Sequence, residues 1–254
     1  TGLTIVDTGT YWSGFGQAAI MMLFQLGGVG MMTAATLLGL MVNRSPRLRT
    51  RLVTQTESRS LGMGDITGVA RIVFLATTVS QLIIAVILSA RLHFGYEMAW
   101  QEAAWSGLFH AMSAFNNAGF ALHPDSLVRY ALDAAILVPV MVAIVIGGIG
   151  FPVLHDLRHR LRDPRHWSLH TKLTLSGTLI LLLLGYVAIL LFEWKNPQTL
   201  GAFGLLDKLM NGMFMSAAAR TSGFNTVDVA GLTRETWALH YFLMFIGGGS
   251  AGTA

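Results

Sequence analysis

Apolar positions in this chain fall into long runs parted by short polar stretches, and the lengths of the runs sort them into two kinds. Residues 17–42, 66–92, 134–154 and 171–192 are each long enough to cross a hydrocarbon core of ~30 Å as a helix rising 1.5 Å per residue. Residues 101–115 and 205–217 are apolar runs too short to cross, so each predicts a helix that enters a membrane and turns back. A further run, 236–246, predicts the start of another descent. Pro139 and the paired glycines inside the run 134–154 predict a kink, and Arg71, a charge near the cytoplasmic end of 66–92, is placed to snorkel to an interface. The pattern predicts an all-α polytopic membrane protein.

Each short run leads into a glycine turn. Residues 218–226 read AARTSGFNT, and Gly223 there permits backbone conformations closed to other residues, so that carbonyl oxygens can face a central axis. The turn recurs. Thr1-Gly2-Leu3-Thr4-Ile5-Val6-Asp7 aligns with Ser222-Gly223-Phe224-Asn225-Thr226-Val227-Asp228, with an aspartate five residues past the glycine in both, and Asn117-Ala118-Gly119-Phe120 is a third copy. Each copy precedes an apolar run that closes in paired glycines, at Gly27-Gly28, Gly147-Gly148 and Gly247-Gly248, after intervals of 25, 28 and 24 residues. Recurrence at a nearly constant interval is read as internal duplication, each full unit holding two spanning helices and a re-entrant segment. The units predicted are 1–42 (end of a first repeat, with its turn and inner helix), 66–154 (a second repeat) and 171–254 (a third, incomplete in its inner helix), joined by loops 43–65 and 155–170. The first lacks an outer and a pore helix, so an internal fragment of a longer protein is expected.

Only 12% of the 254 residues are charged and 53% are hydrophobic, against about 25% charged in an ordinary soluble domain. The net charge of +4 does not point to nucleic acid, because the basic residues gather in the two joining loops: Arg44, Arg47, Arg49, Arg51 and Arg59 in one, Arg158, Arg160, Arg162, Arg165 and Lys172 in or beside the other. Loops rich in Lys and Arg face the cytoplasm, which turns the glycine turns outward. The chain has no cysteine, so disulfides, thiolate metal sites and cysteine nucleophiles are excluded.

A dehydrated monovalent cation needs backbone carbonyls and small side chains around it rather than fixed carboxylates. Gly2, Gly119 and Gly223, with Thr1, Asn117, Ala118, Thr221 and Ser222 beside them, are the candidate ion-filter residues, and no covalent cofactor or metal beyond the conducted ion is implied. Asp7 and Asp228 either concentrate cations at the mouth or cap the next helices. Arg220, a guanidinium at membrane depth, is expected to brace the turn by hydrogen bonds to carbonyls behind it. The glycine run Gly247, Gly248, Gly249, Ser250 and Gly252 has too little helix propensity to continue a helix; it predicts either a gate below the turns or a surface for close helix packing. His155/His159 and His166/His170 have the i, i+4 spacing of metal ligands, but basic neighbours and the lack of a carboxylate pattern favour a solvated face. Gly248 to Gly252 also fits G-x-S-x-G, the elbow of serine hydrolases; that elbow needs a preceding strand, and an apolar helical run stands there instead.

The stretches TGLTIVDTG, QLGGVGMMT, FNNAGF, IGGIGFPVL, ARTSGFNTVD and MFIGGGSAGTA resemble the Ktr/Trk/HKT superfamily of potassium transporters, with the nearest likeness to the membrane subunits of Ktr systems. The resemblance implies four pseudo-repeats of helix, pore loop and helix around one pore, one filter glycine from each. It assigns Gly2, Gly119 and Gly223 to repeats one to three and makes 247–254 an intramembrane gating loop. It further implies potassium uptake with possible sodium dependence, a multi-pass place in the cell (inner) membrane, a homodimer of the complete membrane subunit, and a cytosolic nucleotide-binding regulatory ring. A broken-helix carrier is the alternative transport reading, disfavoured because the repeats share one direction.

Overall fold

The computed structural model describes residues 4–42, 66–160, 163–249 and 252, and among them every regular element is helical. After a single turn, α1 (Thr8–Tyr11), come α2 (Gly14–Val42), α3 (Ile66–Tyr96), α4 (Trp100–Phe115), α5 (Ala134–Ile149), α6 (Phe151–Arg160), α7 (Leu169–Glu193), α8 (Leu205–Thr221) and α9 (Arg234–Ile246). By length and composition α2, α3 and α7 can each cross a membrane, and α5 with α6 adds a fourth crossing if the broken pair is one span. The sides of α3 and α7 that face away from the protein carry exposed Ile72, Phe74, Leu82 and Val86, and Leu173, Ile180, Leu184 and Leu191. Apolar surface on that scale is stable only against lipid or protein.

Two three-helix units make up most of the molecule. In one, α4 lies between α3 and α5; in the other, α8 lies between α7 and α9, and α5 packs on α8 to join them. The main core, around Leu88, Phe115, Leu137, Val140 and Ile144, takes in Phe214, Ala218 and Phe224 from the second unit. Each short helix meets its neighbour through a glycine and a serine, with the two exchanged between units. Gly107 of α4 faces Ser89 of α3 too closely to admit a Cβ, and Gly185 of α7 would put a Cβ 2.5 Å from Ser216 Oγ of α8. Small residues at such crossings let backbones approach where no hydrophobic force drives helices together.

Buried carboxylates close the end of each unit nearest the entry to its short helix. In the first, Asp133 at the start of α5 accepts from its own cap N–H at Ala135, from Arg91 Nε at 2.8 Å and from Tyr96 OH at 3.0 Å. In the second the acid comes from the other helix. Glu193, fully buried at the end of α7, accepts from Thr233 N–H and Oγ1, Thr236 Oγ1, Thr199 Oγ1 and Asn196 Nδ2. Five donors on one carboxylate offset its loss of hydration.

The structure differs from the hydropathy pattern at two places. The run 134–154 is not one descending helix: α5 continues through Pro139 without a break, and the chain turns by 96° at Gly150, whose φ is 88°. The left-handed torsion is what a glycine tolerates and other residues resist. Beyond it α6 leads away, locked to α7 by Asp156, which accepts from Ser168 N–H at 2.9 Å and Thr171 Oγ1 at 2.7 Å. The basic stretch 155–170 is therefore part helix. The second short helix also runs further than its apolar run, to Thr221, so Ala218, Ala219 and Arg220 belong to its last turn.

Candidate functional site

Both short helices end in the same way. At the end of α4 the N–H groups of Asn116, Asn117 and Ala118 reach back to the carbonyls of Met112, Ala114 and Ser113 at 3.0, 3.1 and 2.8 Å, and at the end of α8 those of Ser222 and Gly223 share the carbonyl of Ala218. The chain then reverses on Gly119 at φ 77° and Gly223 at φ 72°. Asn117 is left-handed too, at φ 51°, a torsion Asn adopts more readily than most residues. Ser113 Oγ donates to the Phe120 carbonyl at 2.7 Å and holds the outgoing strand of the turn against its own helix.

The turns are adjacent. Thr221 Oγ1 donates to Asn117 Oδ1 at 2.8 Å, and Leu127 N–H donates to the Asn225 carbonyl at 3.0 Å. Two helix C-termini, each with its partial negative charge, thus meet at one place, which favours a cation there. Above them is a hollow of about 370 Å³ lined by Thr4 to Thr8 of the first segment, Gly119 to Ala121 and His123 of the second, and Gly223 and Asn225 of the third. All three sequence copies therefore border one space.

Of the paired glycines, Gly147 and Gly148 lie directly behind the turns. A Cβ on Gly147 would overlap the Phe115 carbonyl, and one on Gly148 would stand 3.5 Å from Arg220 Nη2 and 3.9 Å from Asn117 Nδ2. The glycine run after α9 docks on the same residue. Gly247 ends α9 at φ 67°, Gly249 N–H donates to the Gly148 carbonyl at 2.8 Å, and a Cβ on Gly252 would come within 2.5 Å of that carbonyl. As its propensity implies, the described part of the run is not helical. Helix α9, not a strand, precedes it.

Asp7 caps α1 through Thr10 N–H at 3.0 Å and Thr10 Oγ1 at 2.5 Å while also lining the hollow. Asp228 caps a short turn through Ala230 N–H at 3.0 Å and is exposed. Arg220 is 8% exposed in the last turn of α8, where a cation suits the helix dipole, and makes no hydrogen bond or ion pair with the described residues. Ser222 Oγ is buried and without a hydrogen-bond partner among them. Thr1, Gly2 and Ser250, and the basic loop 43–65, lie outside the described residues.

Residues that sequence reasoning passed over also serve the site. Gln25 of α2 accepts from both Gln81 Nε2 at 2.8 Å and Asn116 Nδ2 at 2.7 Å, and Gln17 Oε1 accepts from Trp105 Nε1 at 2.7 Å. These bonds fasten α2 to the first complete unit. His110, fully enclosed in α4, stacks on His123 with ring centres 5.5 Å apart, and His123 Nε2 meets Tyr130 OH at 3.1 Å. A polar side chain inside an apolar run was the available signal for Gln25, as was one at the close of a run for Glu193, since such groups persist in apolar surroundings only where they find partners.

Fold and site together define a multi-pass helical membrane protein built on re-entrant helices that end in glycine turns around a shared space. The chain belongs to the TrkH family of cation transport proteins, whose pattern it matches over residues 1–254. It is 41% identical over 254 residues to the Ktr system potassium uptake protein B of Bacillus subtilis (strain 168) and 37% identical over 257 residues to the protein of that name from Vibrio alginolyticus. It is 34% identical over 259 residues to the potassium/sodium uptake protein NtpJ of Enterococcus hirae. Each alignment takes in 100% of this chain and 55–56% of the relative, so the chain spans about half the length of these proteins. Among solved structures, the potassium transporter TrkH from Vibrio parahaemolyticus superimposes with a TM-score of 0.67 at 16% identity, over 100% of this chain and 48% of that one, a likeness of fold.

Proposed function

We propose that this chain supplies parts of three repeats to a potassium-uptake pore in the cell membrane, with Gly2, Gly119 and Gly223 as its filter glycines. The observation that carries this reading is the pair of near-equal left-handed torsions at Gly119 and Gly223, each just past the C-terminus of a short helix and both on one hollow. Carbonyls presented there replace the hydration shell of an ion, while the helix ends favour its charge without fixing it so tightly that it cannot leave. Thr1, Asn117, Ala118, Thr221 and Ser222 complete the filter segments and Asp7 and Asp228 draw cations to the mouth, while Arg220, expected to brace the turn by hydrogen bonds, lies beside Gly148 without making one to the described residues. The names of the relatives favour potassium, and that of the Enterococcus protein favours sodium dependence. We further propose, from the family resemblance of the sequence motifs, that the complete protein works as a homodimer in the bilayer with a cytosolic nucleotide-binding ring.

The contact of Gly249 with Gly148 supports a second element of the proposal, that Gly247, Gly248, Gly249, Ser250 and Gly252 form a gate beneath the filter. A glycine-rich segment, which favours no one regular structure, can change between two arrangements at small free-energy cost, which suits control by a partner. Rubidium uptake by the complete protein in potassium-starved cells, with and without sodium, tests the central claim. Saturable uptake that sodium stimulates is expected. Cells no better than the empty host would overturn it.

A further inference from the structure

The two described glycine turns are tied to each other on both sides of their glycines. On the helix side the tie is the bond from Thr221 Oγ1 to Asn117 Oδ1, 2.8 Å long between residues 104 positions apart. On the outgoing side Leu127 N–H donates to the Asn225 carbonyl at 3.0 Å and Asn225 N–H to Ser126 Oγ at 3.3 Å. Asn117 has little freedom to shift. It is 4% exposed, its backbone is in the left-handed region, and a Cβ on Gly147 would stand only 3.0 Å from its Nδ2, so α5 backs its amide.

Chain connectivity does little to set the distance between turns so far apart in sequence, and the apolar contacts of α5 with α8 are not directional. A hydrogen bond is directional, and its length is confined to a few tenths of an ångström. We infer that the Asn117–Thr221 bond is a strut that sets the spacing of two neighbouring filter turns, making both side chains positioning residues for discrimination between cations of different size. This rests on the filter reading above. Neither side chain needs to touch the ion: a change in spacing moves the carbonyls of both turns and alters how well they replace the hydration of one cation relative to another.

Thr221→Val keeps the branched shape and removes the hydroxyl, whereas Thr221→Ser keeps the donor. In the complete protein, competition between rubidium and sodium for uptake should show the valine variant losing preference for rubidium by about fivefold, the factor that corresponds to the net worth of about one hydrogen bond. The serine variant should stay within about twofold of the parent. A valine variant present in the membrane at normal amount with unchanged preference would overturn the strut. If the valine variant does not accumulate, Thr221→Cys carries the test, because a thiol is a weak donor; a smaller loss of the same sign is expected, and no loss overturns the inference. The two readings fail differently. No rubidium uptake by the unaltered protein removes the pore reading, while a discriminating parent beside an equally discriminating valine variant removes only the strut.

Discussion

Gly119 and Gly223 hold φ values of 77° and 72°, where an added Cβ costs roughly 1–2 kcal/mol per residue. That strain falls on the segment whose carbonyls face the proposed ion path, so the effect should appear in selectivity before it appears in folding. Gly119→Ser and Gly223→Ser in the complete protein are each expected to lower the preference for potassium over sodium, read from ion competition during rubidium uptake. Unchanged competition in both would remove these glycines from the filter. His123 offers a test of another kind. Burial, with the charge of Arg129 acting in the same direction, lowers its pKa below the ordinary histidine value, while Asp125 and Asp7 oppose the shift. A histidine whose folded-state pKa lies below its unfolded value contributes stability that is present above about pH 6.5 and lost as the pH falls through the folded value. The thermal midpoint of the protein should therefore fall more steeply between about pH 7 and about pH 5 than that of His123→Gln. Parallel profiles would show that the histidine at the hollow does not carry this dependence.

Among the elements, the glycine run after α9 makes the sharpest forecast. Gly249 is seated on α5 so closely that a Cβ would lie 2.9 Å from the Ile149 carbonyl, 3.0 Å from that of Gly148 and 2.9 Å from Thr174 Cγ2. Gly249→Val must lift the segment off its seat. If the segment is a gate, flux rises and depends less on the cytosolic partner; if it is a packing face, the protein accumulates poorly and flux is lost. Lost flux in a variant that accumulates and inserts normally would sink the gate. The short helices themselves were legible in the sequence because length alone distinguishes 101–115 and 205–217 from spans. Their closing positions were less so. Helix α8 continues to Thr221 because Ala218 and Ala219 are strong helix formers and Arg220 suits a C-terminal turn, features of helix propensity and capping that run length does not report.

For the whole molecule the property to test is orientation, and the basic stretches at 43–65 and 155–170 assign both to the cytoplasm. Arg165→Cys puts a thiol at an exposed position of a chain that has no other cysteine. It should resist an impermeant reagent in intact cells and react after permeabilisation; labelling in intact cells would invert the topology. Run lengths, turn glycines and charge placement were enough to determine an all-helical membrane protein with re-entrant segments, because hydropathy and local backbone freedom belong to contiguous residues. Tertiary structure alone decided that Gly150 rather than Pro139 turns the chain, that Gly147 leaves room for the Phe115 carbonyl, and that Glu193 gathers its donors from α9 and the loops. It also joined Asn117 to Thr221 across 104 positions. A side chain's partner across such a distance depends on how helices cross and which backbones come within hydrogen-bond reach, and no local pattern carries that information.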